Sequence, residues 1–398
     1  MFAKFSVYNL NCMPKVERFI YLDNNATTPL DIEVLKAMTP YFKGIFANPA
    51  SYHWLGNMAR KAVELSREKV GDLIGADQEE IVFTSGATES INLAIKGYAT
   101  ANSVKGKHII TVKTEHKAVL DSCKYLESIG YEVSYLNVSR EGLIDISELR
   151  KELRPDTILT CVMFVNNEIG LIQPISEITR IVHETNSLFF CDATQAIGKL
   201  DVNVNDLGID LMSFSGHKLY GPKGIGALYT KNSSNDKVKI EAQIHGGGHE
   251  NGIRSGTLNV PLIVGFGKAC EIAKKYLYKN EAKISNLRDE LESGLLTIPN
   301  AFVNGSIDNR LFNVTNICFP GVDANVMIGR LKSIALSNGS ACSSLKIESS
   351  HVLKAIGLSE ENAMSSIRFS VGKYNSKREI NHVIESIKKY TKDGCRLV

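Results

Sequence analysis

The chain has 398 residues, enough for two or more units at roughly 100–200 residues per domain. Hydrophobic residues make up 43% and charged residues 22%, and 46 Lys and Arg against 43 Asp and Glu leave a formal charge of +3. That balance excludes a strongly basic nucleic-acid binder and an acidic tail protein, and 31 Gly with 10 Pro exclude collagen-like and disordered classes. Residues 1–19 carry Lys4, Lys15 and Arg18, with the first acidic residue at Glu17, and read as an N-terminal extension. Ala59, Ala62, Val63, Ser66, Val70, Leu73 and Ile74 recur at helical spacing and predict an amphipathic helix. The apolar runs Glu80–Thr84, His108–Val112, Tyr131–Leu136, Thr157–Val165, Ser187–Cys191 and Ile209–Phe214 predict strands. They are short and do not alternate, as strands covered on both faces should be. Helical patterns between them, up to about Thr100 and from Lys117 to Ile129, imply crossovers and a mostly parallel sheet. After about residue 260 a long charged helix is expected over Pro261–Leu296, strands at Phe312–Phe319 and Ile334–Leu336, and a last helix at Glu379–Thr391. The expected organisation is α/β. It has an extension (1–19), a large domain with a mostly parallel sheet (20–260) and a small C-terminal α+β domain (261–398), against which the segment around 20–30 packs.

In an open parallel sheet, ligands bind beyond the carboxyl ends of the strands, so the residues there matter most. After EIVFT come Ser85, Gly86, Ala87 and Thr88, a tight turn opening a helix whose first N–H groups suit an anion. Taken alone it is equally a plain helix cap. Glu115 and His116 follow HIITVKT, and Asn166, Asn167 and Glu168 follow 157–165, with structural and turn roles open to both. Asp192 follows SLFFC with Gln195 close behind, and a carboxylate there is costly without a partner. Ser215, His217 and Lys218 follow IDLMSF, and a lysine so near a buried strand either snorkels out or is used chemically. An anion-binding helix start, an imidazole, an asparagine, a carboxylate and a lysine are together what pyridoxal phosphate requires. Several α/β folds place polar residues at strand ends, so spacing alone does not establish it. Gly221–Gly226 lacks the order of a phosphate-binding loop and precedes a strand. His245-Gly-Gly-Gly-His249-Glu250 is too glycine-rich for a helical metal pair and reads as a loop near the cofactor or at a subunit contact.

None of the 8 cysteines forms a C-x-x-C pair, so free thiols in a reducing compartment are expected. Cys161 and Cys191 sit in apolar runs as small core residues. Cys342 lies in the small, polar stretch Leu336–Ser344, which suits a nucleophile that must travel and equally an incidental surface thiol.

With these residues in view, the chain resembles the cysteine desulfurases of the NifS/IscS type, in the class V aminotransferase group. The matching stretches include YLDNNATTP (21–29), FTSGATES (83–90), TEHKAV (114–119), VNNEIG (165–170), DATQAIGK (192–199), SFSGHKLYGPKGIGALY (213–229), HGGGHE (245–250), RSGTLNVP (254–261), NGSACSS (338–344) and SSIRFSVG (365–372). The resemblance implies a fold-type I pyridoxal-phosphate-dependent transferase that converts L-cysteine to L-alanine. On its terms Lys218 matches the lysine that carries the cofactor, Asp192 the partner of the ring nitrogen and Gln195 the donor to the ring oxygen. His116 matches the imidazole stacked on the ring, also an acid/base. Ala87, Thr88, Ser215 and His217 match phosphate ligands. Thr257 matches a phosphate ligand given by a second subunit, which implies a homodimer. Asn167 and Arg368 match binders of the substrate carboxylate. Cys342 matches the nucleophile that becomes a persulfide, and a transient iron–sulfur ligand is the most metal binding expected of it. The sulfur then passes to an iron–sulfur scaffold protein or another acceptor, with transfer-RNA thiolation as a second destination. Selenocysteine lyase is the alternative activity. The chain ends at Val398, short of the tail by which IscS-type members dock the scaffold protein, and the subtype stays open. No direct nucleic-acid or membrane contact is expected, and the compartment is cytoplasmic, or a mitochondrion-related organelle if residues 1–19 are a presequence.

Overall fold

The computed structural model describes residues 19–233, 236–339 and 349–392. Residues 1–18 of the expected extension, Cys342 and Cys395 lie outside them, Cys12 among the former. A seven-stranded sheet forms the centre, in the spatial order Ile81–Thr84, Gly226–Thr230, Leu211–Ser215, Leu188–Asp192, Thr157–Cys161, His108–Val112, Glu132–Leu136. All neighbours are parallel except Gly226–Thr230, which runs antiparallel to both strands beside it. Successive residues feed opposite faces, the alternation that a pleated strand imposes. Phe189 and Cys191 join the core on one face, with Phe266, while Phe190 joins the other, with Leu126. Both faces are dry, which is why these runs are uniformly apolar.

Helices Trp54–Ile74 and Val260–Tyr276 cover the first face, and Ala87–Ala101 and Lys117–Ser128 cover the second. A separate core gathers Leu22, Leu291, Leu295, Phe369 and Ile387 between an antiparallel sheet (Phe302–Val303, Val314–Cys318, Ser366–Ser370) and helices Glu281–Leu295 and Lys377–Lys392. The single helix expected over 261–296 is two helices, Val260–Tyr276 and Glu281–Leu295. The first buries Phe266 and Cys270 in the large core, and the second buries Leu287 and Leu291 in the small one. One straight axis cannot serve both cores, so the chain turns at 277–280.

The N-terminal segment ties the units together. Ile20–Tyr21 pairs in parallel with Ile334–Ala335, and Asn25 N–H donates to Ser370 Oγ at 2.9 Å. On its other side, Thr28 N–H donates to the His217 carbonyl at 2.9 Å.

The turn after Ile81–Thr84 depends on two glycines. Gly86, at φ 153°, caps the helix Ala87–Ala101 in a conformation side chains avoid. A Cβ on Gly226 would lie 2.7 Å from Gly86 Cα and 2.7 Å from the Phe214 carbonyl oxygen. Gly226→Ala should therefore cost about 2 kcal/mol, seen as a lower melting temperature. An unchanged melting temperature would mean the turn moves freely.

Candidate active site

A cleft of about 670 Å³ opens at the carboxyl ends of the parallel strands and runs between the two cores. Ala87, Thr88, His116, Asn167, Asp192, Gln195, Ser215, His217, Lys218 and Arg368 all line it. Thr257 does not; it is exposed on the loop ahead of the helix Val260–Tyr276. Cys342 falls outside the described residues, though Ser337 and Gly339 just before it reach the cleft wall.

At one end, the 15-residue helix Ala87–Ala101 points its N-terminus into the cleft, and its cap, Gly86, offers no side chain to the first N–H groups. Those donors and the helix dipole favour an anion. Ser215 ends the strand Leu211–Ser215, and its hydroxyl is buried in the same wall with no partner. Orphaned buried hydroxyls are uncommon and expect an acceptor. Glu89, in the first turn, would repel an anion, but Arg254 pairs with it at 2.7 Å and Ser85 N–H binds it at 2.8 Å.

Asp192 closes the strand Leu188–Asp192 and accepts the Thr194 N–H at 3.0 Å. His116 caps the helix Lys117–Ser128, its Nδ1 accepting the Ala118 N–H at 3.1 Å. In the neutral ring the proton therefore sits on Nε2. The ring faces the open cleft and is exposed there. Desolvation holds its pKa below the usual histidine range, helped by Lys218 and opposed by Asp192. Burial, with Lys218 and Lys223 nearby, takes His217 down to about 4. Both imidazoles are neutral at physiological pH.

Lys218 sits at the end of the single helical turn Gly216–Lys218. Its amine donates to the carbonyls of Asn25 at 2.6 Å and Ala26 at 2.7 Å. Burial, reinforced by Arg368, pushes its pKa down to about 8. Tyr220, two residues on, adopts φ 62°, rare for a residue with a side chain. The Thr28 hydroxyl accepts its N–H at 2.8 Å, and its own hydroxyl accepts the Lys373 N–H at 2.8 Å. The strained turn is held from two directions and aims Lys218 inward.

At the other end Arg368, almost fully buried, donates to Asp23 at 2.6 Å and to the Asn167 carbonyl at 3.0 Å. Its Nε has no partner. An arginine with a spare donor at the cleft wall suits a carboxylate.

Sequence reasoning passed over several residues here. The carbonyls of Asn25 and Ala26, the Asp23 carboxylate and Lys199 had no assigned role, although the first three lie in the quoted stretch 21–29. Glu115 is fully buried, with one oxygen unpartnered and the other taken by the Met163 N–H. Burial and Asp192 push its carboxyl well above the usual range. Glu250 of the glycine-rich histidine stretch is structural, bound by Arg67 at 2.6 Å and by Phe83 N–H at 2.7 Å. Among the described residues, no group of three or more His, Cys, Asp or Glu could hold a metal ion. All five described cysteines are buried and free.

The cleft fits pyridoxal phosphate. The helix start and the orphaned Ser215 hydroxyl suit its phosphate. Asp192 suits its ring nitrogen, the neutral His116 offers a flat face, and Lys218 has the low-pKa amine its carbonyl requires. The comparisons agree. Residues 20–383 match the family model "Aminotransferase class-V", and the chain belongs to that family of pyridoxal-phosphate-dependent enzymes. Within it, the chain is 52% identical over 376 residues to cysteine desulfurase IscS of Mannheimia succiniciproducens, covering 94% of this chain and 93% of that one. It is 54% identical over 375 residues to the enzyme of that name from Glaesserella parasuis, covering 93% and 92%. Its fold matches the solved structure of a NifS-like protein with a TM-score of 0.88 at 38% identity, covering 94% of this chain and 100% of that one.

Proposed function

We propose that this cleft converts L-cysteine to L-alanine and retains the sulfur as a persulfide on Cys342. The chain is a pyridoxal-phosphate-dependent cysteine desulfurase. The observation that carries the chemical reading is the convergence, in one cleft, of a depressed lysine amine, a buried carboxylate and a partly unpartnered arginine.

Ala87, Thr88, Ser215 and His217 would hold the phosphate, Asp192 the ring nitrogen and Lys218 the carbonyl carbon. When bound, pyridoxal phosphate supplies an electron sink for negative charge at the substrate Cα. Arg368 and Asn167 orient the substrate carboxylate, which places the Cα hydrogen toward Lys218. The Lys218 amine takes that proton and returns it, and a pKa of about 8 suits both directions near neutral pH. His116 covers the ring and excludes water from one side. The Cys342 thiolate attacks the substrate sulfur as the carbon–sulfur bond breaks. In balance, cysteine and one thiol give alanine and one persulfide, with no external oxidant.

Two further parts belong to the proposal. Ile32, Leu35 and Phe42 share one face of the helix Ile32–Lys43 and are exposed, as are Phe46 and Trp54 beyond it. A second copy of the chain would cover such a surface, and the exposed Thr257 would then be free to reach the copy's phosphate end. An iron–sulfur scaffold protein, or another sulfur acceptor, would take the persulfide sulfur.

The test is the stoichiometry of alanine and sulfide from L-cysteine under excess reductant. The wild type should give both equally. Cys342→Ala should bind the cofactor normally yet lose sulfide release by about 10²-fold or more. Full sulfide release from Cys342→Ala would remove Cys342 from the mechanism and favour a lyase.

A further inference from the structure

Behind the cleft wall lies a second lysine with no role so far. The Lys199 amine donates to the side-chain oxygen of Gln195 at 2.8 Å and to the Gln195 main-chain carbonyl at 3.2 Å. An ammonium has donors only. Lys199 therefore fixes which end of the Gln195 amide faces it, and the nitrogen must point the other way. That nitrogen donates to the Asn25 carbonyl at 2.8 Å. The same carbonyl receives the Lys218 amine at 2.6 Å. Lys199, Gln195 and Lys218 are thus joined by one short hydrogen-bond chain that runs from behind the wall to the cofactor-bearing amine.

The surroundings of Lys199 are poor for a lysine. The charges bearing on it, Lys218 and Arg368, are both cationic, and burial pushes its pKa down to about 7. It lines a small cavity of about 70 Å³ with Tyr220, Tyr276 and Lys373, so packing alone does not require an amine there. With two oxygens as its neighbours, the amine donates whether charged or neutral.

We propose that Lys199 is a positioning residue for the cofactor: it holds the Gln195 amide so that its NH₂ group is presented on the Lys218 side of the cleft. The proposal rests on the reading that the cleft holds pyridoxal phosphate. In that molecule the ring carbon next to the one that bears the carbonyl engaged by Lys218 carries an oxygen, and this oxygen is an acceptor. Gln195 lines the cleft beside Lys218 and shares an acceptor with it, which makes its NH₂ the donor on that side. An amide free to flip would set a carbonyl against that oxygen and lose the bond.

The test titrates apoprotein with pyridoxal phosphate and then follows the loaded protein's visible absorption against pH. Lys199→Met should weaken cofactor binding about tenfold and shift the pH midpoint of the absorption change. Lys199→Leu is carried alongside, so that one apolar variant that folds is enough. Lys199→Arg keeps a donor and should restore most of both properties. In a Gln195→Ala background, Lys199→Met should add no further loss, because it acts through Gln195. Wild-type affinity and midpoint in the apolar variants would overturn the proposal. So would losses that multiply in the double variant. If the wild type itself takes up no pyridoxal phosphate, the cofactor reading falls first and takes this inference with it.

Discussion

Lys218→Ala should lower cysteine turnover by at least about 10³-fold while leaving a folded protein. On the proposed function the amine is the proton carrier at the substrate Cα, and its lowered pKa suits that part. Lys199 is the nearest alternative in chemistry, but its amine is committed to two oxygens of Gln195. The fold should survive, because removing a buried amine also removes its desolvation cost, and the Asn25 carbonyl keeps its bond from Gln195. Circular dichroism and a melting curve, beside alanine production, separate loss of chemistry from loss of structure. The wild type adds a pH test. Only the free amine of Lys218 reacts with a carbonyl. With its pKa lowered from 10.5 to about 8, the rate of pyridoxal phosphate capture should rise about tenfold per pH unit below 8 and level off above it. A rate that still climbs steeply at pH 9.5 would mean the amine is that of an ordinary lysine.

Arg368→Met should lower kcat/KM for L-cysteine by about 10²–10³-fold, mostly through KM, since charge-assisted bonds are each worth about 1.5–3 kcal/mol. The loss has two sources. The substrate carboxylate loses its guanidinium, and Asp23, no longer paired at 2.6 Å, turns its charge on the incoming carboxylate. Adding Asp23→Asn should therefore recover part of the affinity and the stability of Arg368→Met. Arg368→Lys should not rescue fully, because one ammonium cannot serve Asp23, the Asn167 carbonyl and a substrate in the plane the guanidinium sets. Steady-state kinetics with melting curves decide it, and an unchanged KM in Arg368→Met would place the carboxylate elsewhere.

Much of the site was legible because each part is local. A short apolar run followed by a polar turn marks a strand end, and His108–Val112 forms a strand over the residues the pattern predicts. Asp192, Ser215 and Lys218 could be placed at the cleft from a few neighbouring letters. The unreadable parts are long-range. Asp23 and Arg368 are 345 positions apart and meet only through the fold. The carbonyls holding Lys218 belong to the stretch 21–29, to which no role was assigned, and a backbone oxygen leaves no mark in a sequence. The direction of Gly226–Thr230 was equally hidden, since an apolar run reads the same both ways. Glu250 lost its metal-like look once Arg67 and the Phe83 N–H were seen against it.

The N-terminal segment also sets a schedule. Residues 23–28 emerge from the ribosome among the first of the described chain, yet Asn313, Arg368 and Ser370, which fasten them, all emerge after residue 300. A nascent chain that has reached residue 300 has a complete parallel sheet, Lys218 and the strap whose carbonyls hold the lysine amine, but not the residues that fasten that strap. Capture of the cofactor in its final geometry therefore waits for nearly the whole polypeptide, and a prematurely terminated product cannot carry a finished sulfur-releasing site.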